Sequence, residues 1–169
     1  MSEFQTAIAA GDDEVQRRFM VLCLIGLTGS GKSTTANSLC GEQKFSVSGG
    51  TESETTAFDG ALTRWFNEPN EDPVIVIDTP GIGDSKGRDT KHIAEMVVGL
   101  KNVGYAHSFL IVVNSADPRL SDQLQETLTL FSQMFSPEFF RNALLVFTRF
   151  AHDDTSKWRR MNGQSMSEA

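Results

Sequence analysis

Residues 19–33 read FMVLCLIGLTGSGKS. Phe19 to Ile25 is an almost unbroken apolar run closed by a glycine, the pattern of a strand buried on both faces. Gly26 to Ser33 follows at once as GLTGSGKS, which matches G-x-x-x-x-G-K-[ST], and it opens a helix-compatible segment, Lys32 to Cys40. Strand, glycine-rich turn and helix in that order are the context that a phosphate-binding loop requires. Glycines let the backbone turn its N–H groups around the phosphates, and the helix N-terminus adds its positive end. In such a loop Gly26, Thr28, Gly29, Ser30, Gly31 and Thr34 line the phosphates, Lys32 neutralises the outer ones, and the Ser33 hydroxyl is a hard oxygen donor suited to Mg²⁺. A chance match in a chain of this length is expected about once in a hundred sequences, before the flanking strand and helix are counted.

Outward from this stretch, the doubly buried strand pattern recurs at Val74 to Ile77, Phe109 to Val113 and Ala143 to Phe147. Helix-period segments lie between them: Ile93, Met96, Val97 and Leu100 form one, and Leu124, Leu128, Phe131 and Phe135 another, with Ser121 placed to cap it. Alternating strand and helix means an α/β layered sheet, mostly parallel, with helices on both faces. The stretch Phe58 to Phe66 joins the strand at Val74 through the turn-rich NEPNEDP of residues 67–73, which predicts a hairpin and one antiparallel edge strand. Residues 1–18 read as a polar leader, 19–150 as the folded domain, and 151–169 as a polar segment in which Ser165 to Ala169 could begin a helix.

Composition sets limits on function. With 169 residues the chain is one domain's worth, and 15 basic against 22 acidic residues give a net charge of −7, which disfavours nucleic acid and anionic lipid as partners. Two cysteines, Cys23 and Cys40, make no secreted disulfide framework, and no cluster has zinc spacing, so a cytoplasmic setting is expected. No apolar run reaches the length that spans a bilayer, so any membrane contact is expected through a region outside this chain.

The strand Val74 to Ile77 runs straight into Asp78-Thr79-Pro80-Gly81, a D-x-x-G pattern about fifty residues beyond the phosphate loop. Asp78 can hold Mg²⁺ through water, and the Gly81 N–H can meet a γ-phosphate oxygen, so that loss of this phosphate would release the loop behind it. An ATPase more often carries a carboxylate pair here, and Thr79 is not one. The bland alternative is a good turn after a strand.

At this point the residues carry a resemblance. The run GKSTTANSLCGEQKF from Gly31, then Ser53 and Thr55, then DTPGIGDS from Asp78, resemble the G domain of the GIMAP family, the GTPases of immunity-associated proteins with their plant avirulence-induced relatives. Gly104 to Val112, GYAHSFLIV, is similar to that family's own G-x-x-H-A-F-L-L-V segment, and Arg119 to Asp122 is similar to its R-[FY]-T-x-x-D. The likeness covers about residues 19–150. It implies a P-loop G domain that binds GTP or GDP with Mg²⁺, related to septins and chloroplast import GTPases, and forming a nucleotide-dependent homodimer with slow or partner-assisted hydrolysis.

Residue by residue, the resemblance places Thr55 at the switch threonine that joins Ser33 on Mg²⁺, with Thr51 and Thr56 as alternatives. His107 falls at the family's histidine, where a satisfied core residue is the plainer reading. Thr148-Arg149-Phe150 resembles the family's T-R-x-D base-reading motif, but Ala151 stands where the carboxylate belongs, so Asp153, or Asp154, is expected to swing in. The resemblance implies a last strand and helix that are not read in the sequence, so a shortened form is expected, with a fold that ends early here as the alternative. Small GTPases orient the attacking water with a glutamine after D-x-x-G; here Ile82 fills that position, leaving no catalytic residue assigned, with Thr55 and Gly81 as switch residues and Arg88 a candidate cation across the dimer. The rival expectations are a non-hydrolysing scaffold that assembles when loaded with GTP, and an ATP-using phosphate-loop kinase.

Overall fold

The computed structural model describes residues 19–47, 59–82, 96–100, 103, 105–116, 122–135 and 137–161. Strands β1 (Met20–Ile25), β2 (Asp59–Arg64), β3 (Pro73–Asp78), β4 (Ser108–Asn114) and β5 (Ala143–Thr148) form one sheet in the order β2-β3-β1-β4-β5. β1 pairs in parallel with β3 and β4, β4 in parallel with β5, and among the described residues only β2 with β3 is antiparallel. The hairpin and the four parallel strands are where the apolar runs put them.

Period-2 alternation sorts each central strand onto two cores. Val21, Cys23 and Ile25 of β1, with Ile75 and Ile77 of β3 and Phe109 and Ile111 of β4, face a cluster closed by Met96, Leu100, Phe131 and Phe139. Leu22 and Leu24, with Val74, Val76, Leu110 and Val112, face the other side, closed by Ala36, Cys40 and Phe45. Helix α1 (Lys32–Cys40) therefore covers one face, while α2 (Asp122–Phe135) and the helical residues 96–100 cover the opposite one. Both cysteines are free and buried.

Two local features depart from the sequence reading. His107 is not a core residue: it is exposed, its N–H donates to Val21 O at 2.9 Å, and its Nδ1 accepts from Val21 N at 3.0 Å. The imidazole thus extends the β1–β4 ladder by acting as an extra carbonyl. A helix α3 (Asp154–Met161) occupies part of the polar segment 151–169, ahead of the Ser165 to Ala169 stretch where the sequence places a possible helix start. Its start is a side-chain cap, in which Asp153 Oδ1 accepts from Ser156 N at 2.9 Å, three residues on. Ser165 to Ala169, Ser121 and Ile93 lie outside the described residues.

The strand β5 departs as well: its apolar run predicts a doubly buried central strand, but it is the edge of the sheet, with Leu144, Leu145 and Phe147 each more than half exposed, because among the described residues nothing covers it on that side.

Candidate functional site

The C-terminal ends of the central strands converge where the chain leaves β1, and the loop there is shaped by close approaches. Gly26 has φ 151°, and a Cβ on it would lie 2.4 Å from Val112 O of β4, so no other residue fits without moving the strand. Beyond it the loop turns back on itself through Ser30 N to Leu27 O at 3.2 Å, passes Gly29 and Gly31 at positive φ, and enters α1 with Thr35 N bonded to Gly31 O at 2.9 Å. Thr34, in the first turn of that helix, is exposed and uses its carbonyl to accept from Ser38 Oγ at 3.0 Å.

Lys32 is the unusual group. It is only 6% exposed, and its Nζ donates to Leu27 O at 2.9 Å, with no carboxylate in ion-pair contact among the described residues. Burial lowers its pKa to about 8, and the negative charge of Asp78 pulls the other way without restoring it. An ammonium carries three donors, so one carbonyl leaves most of its capacity unspent. A buried cation in that condition is costly unless an anion joins it.

Beside it, Ser33 Oγ donates to Asp78 Oδ2 at 2.6 Å. Asp78, at the end of β3 in register with Leu24, is 1% exposed. The pair is an all-oxygen donor set, the kind a hard cation such as Mg²⁺ takes. Thr79, equally buried, donates its hydroxyl to Leu24 O at 2.7 Å and so fixes the turn out of β3 against β1.

The Asp-Thr-Pro-Gly turn then runs along the phosphate loop. Thr28 N donates to Ile82 O at 3.0 Å and Ile82 N to Gly26 O at 3.3 Å, a short parallel bridge. Gly81 sits so close to Thr28 that a Cβ there would meet Thr28 Oγ1 at 2.4 Å. Ile82, at 6% exposure, packs its side chain into the core. Sequence reading missed this seam. Its one signal was an apolar residue directly after the turn glycine.

From the other side, the turn after β5 is tied to the same loop. Thr148 Oγ1 donates to Ser30 O at 2.6 Å, with Val113 O at 3.3 Å, and Arg149, held at φ 52°, reaches Gly29 O at 3.3 Å. Both residues thus meet phosphate-loop carbonyls. Asp153 is engaged in capping α3, and Asp154 is fully exposed and paired with Lys157 at 3.5 Å. Thr51, Thr55, Thr56 and Arg88 lie outside the described residues.

The residues fit a phosphate group on grounds of polarity alone. Besides Lys32, the hydroxyls Thr28 Oγ1 and Ser30 Oγ are buried with no hydrogen-bond partner among the described residues. Orphaned donors of this kind cost free energy that an anion's oxygens recover.

The chain is 30% identical over 131 residues to immune-associated nucleotide-binding protein 7 of Arabidopsis thaliana, covering 75% of this chain and 40% of that protein. It is 26% identical over 130 residues to human GTPase IMAP family member 8, covering 77% of this chain and 18% of that one. The chain thus spans less than half the length of these relatives. Among solved structures, Arabidopsis thaliana Toc33, crystallised as a dimerization-deficient mutant, superposes with a TM-score of 0.69 at 20% identity, covering 96% of this chain and 68% of Toc33. Toc33 in complex with GDP and Mg²⁺ gives 0.64 at the same identity and coverage. The fold is that of a P-loop GTPase G domain. The sequence profile of the AIG1 family matches residues 20–164, a span that takes in all five strands and both seams on the phosphate loop, and the chain belongs to that family.

Proposed function

We propose that this domain binds guanine nucleotide with Mg²⁺ and acts as a switch that distinguishes GTP from GDP, with hydrolysis slow or assisted by a second copy. The observation that carries the reading is Lys32, an ammonium buried to 6% exposure with a backbone carbonyl as its partner, at the mouth of a loop holding two orphaned hydroxyls. The β- and γ-phosphates supply the missing anion. Ser33 and Asp78 would hold Mg²⁺, the latter through water, with Thr55 as the third oxygen. When bound, the ion neutralises charge shared by those phosphates. Gly81, pressed against the loop, senses the γ-phosphate through its N–H. Guanine as the base, rather than adenine, rests on membership of a family whose relatives include named GTPases. Toc33, solved with GDP and Mg²⁺, supports the same choice.

Thr148 and Arg149 hold the phosphate loop from the base side, and Asp153 is the carboxylate proposed to accept from guanine. Assembly across the nucleotide face is proposed from the likeness to Toc33. A competition titration of labelled GDP against GTP and ATP tests the reading: GTP displaces the label at far lower concentration than ATP, and equal displacement contradicts guanine selection.

One observation favours a second reading. The Ile82 side chain is apolar and turned into the core, so this position cannot orient a water molecule, and a non-hydrolysing scaffold is the consequence if no other group does so. Single-turnover phosphate release separates the two: a scaffold releases none on the hour scale.

A further inference from the structure

We infer that the Thr28 hydroxyl is a second reader of the terminal phosphate, which sets the preference for triphosphate over diphosphate together with Gly81; this deepens the nucleotide-switch reading and rests on it. Thr28 lies at the third position of the loop, where the G-x-x-x-x-G-K-[ST] pattern accepts any residue, so the motif itself assigns its side chain nothing. The geometry gives it a place. Its backbone N–H is already spent on Ile82 O at 3.0 Å, so Thr28 has only its side chain to offer a ligand. That side chain ends in Oγ1, buried and without a hydrogen-bond partner among the described residues.

Three approaches fix where the hydroxyl stands. A Cβ built on Gly81 would lie 2.4 Å from Thr28 Oγ1, 2.6 Å from its Cα and 2.8 Å from its N, so Gly81 stands directly against Thr28 with no room for a side chain between them. The bridge between Leu27 and Ile82 holds them there from both sides. A phosphate oxygen that reaches the Gly81 N–H therefore arrives next to the Thr28 hydroxyl. A diphosphate, one phosphoryl group shorter, leaves that hydroxyl in the orphaned condition seen here. The cost of a buried unpartnered hydroxyl is then removed only when the terminal phosphate is present, which makes the residue a discriminator and not a general phosphate ligand.

The packing also explains why threonine is suited to the position. Its hydroxyl stands beside Gly81, and its methyl group supplies the bulk on the same carbon that serine lacks. Valine keeps the shape and removes only the oxygen. Serine keeps the oxygen and removes the methyl.

The test uses the full chain and its Thr28→Val and Thr28→Ser variants, with fluorescent GDP and a non-hydrolysable GTP analogue titrated in Mg²⁺, and thermal unfolding of the nucleotide-free proteins alongside. Losing a hydrogen bond to a charged group predicts that Thr28→Val lowers the ratio of analogue to GDP affinity by about 10-fold or more. Thr28→Ser keeps the wild-type ratio. Because valine replaces an orphaned hydroxyl, the nucleotide-free Thr28→Val protein unfolds at or above the wild-type temperature, which a structural role for the hydroxyl would not produce. An unchanged ratio in Thr28→Val overturns the inference, and so does an equal loss for both nucleotides. If the wild type binds neither nucleotide, the nucleotide-switch reading itself has failed, an outcome separate from an unchanged ratio on intact GDP binding.

Discussion

At the scale of single residues, the site is governed by charges and hydroxyls whose partners are incomplete. Lys32 shows this through proton linkage. Its pKa is lowered to about 8 in the folded chain, from an ordinary value of 10.5. A depressed pKa means that the folded protein holds fewer protons than the unfolded one between those values, so the nucleotide-free chain gains stability as pH rises from about 8 towards 10.5. Phosphate binding has the opposite sign, since it needs the ammonium: affinity for GDP is flat below pH 8 and falls above it, by at most about tenfold per pH unit. Titrations between pH 7 and pH 9 check this, and affinity that rises over the interval contradicts it. Asp153 gives a second test. Asparagine caps a helix as well as aspartate does, whereas alanine costs about 1 kcal/mol. Asp153→Ala should therefore lower stability by that amount, while Asp153→Asn leaves stability unchanged and erodes the preference for GTP over ATP. If Asp153→Asn leaves the preference intact, Asp153 only caps α3. Lys32, Ser33 and Asp78 were legible in the sequence because spacing alone defines them. The orphaned hydroxyls of Thr28 and Ser30 were not, since a missing partner is a property of packing.

At the scale of elements, hydrophobic period carried the reading wherever the element is buried. β1, β3 and β4 are apolar on both faces because helices cover both, and the sequence shows this as continuous runs. The same reasoning missed α3, whose exposed residues include Trp158 and Met161 and whose start depends on the Asp153 cap, not on an apolar stripe. It also misassigned His107, since a ring nitrogen standing in for a carbonyl leaves no mark on a hydropathy pattern. The junction of β1, the loop and β4 makes the sharpest element-scale prediction. Gly26→Ala puts a methyl group 2.4 Å from Val112 O, and backbone cannot yield as a side chain can. The variant should lose about 1–3 kcal/mol or more of stability in denaturant titration, with weakened nucleotide binding, as expected of overpacking. A stable variant with wild-type affinity would mean that β4 and the loop are less closely apposed.

At the scale of the whole molecule, the phosphate loop is the hub that joins separate parts of the chain. The Asp-Thr-Pro-Gly turn reaches it through Ile82 and Thr28, and the turn after β5 reaches it through Thr148 and Arg149. A ligand in the loop therefore meets contacts from the turns after β3 and after β5, an arrangement suited to the switch proposed above. Its turnover should be slow, because Ile82 cannot orient water: the isolated monomer is expected near or below about 10⁻³ per second. Light scattering with GDP and with the GTP analogue should show a dimer only with the analogue, and specific activity should rise with protein concentration. Concentration-independent turnover well above that rate contradicts the assisted mechanism. The central claim, that Lys32 awaits the phosphates of a guanine nucleotide, is tested most directly by calorimetry of GDP and Mg²⁺ binding to the wild type and to Lys32→Ala. The account predicts clear binding by the wild type and a loss of about tenfold to a hundredfold in the variant; equal affinity in the two proteins would contradict it.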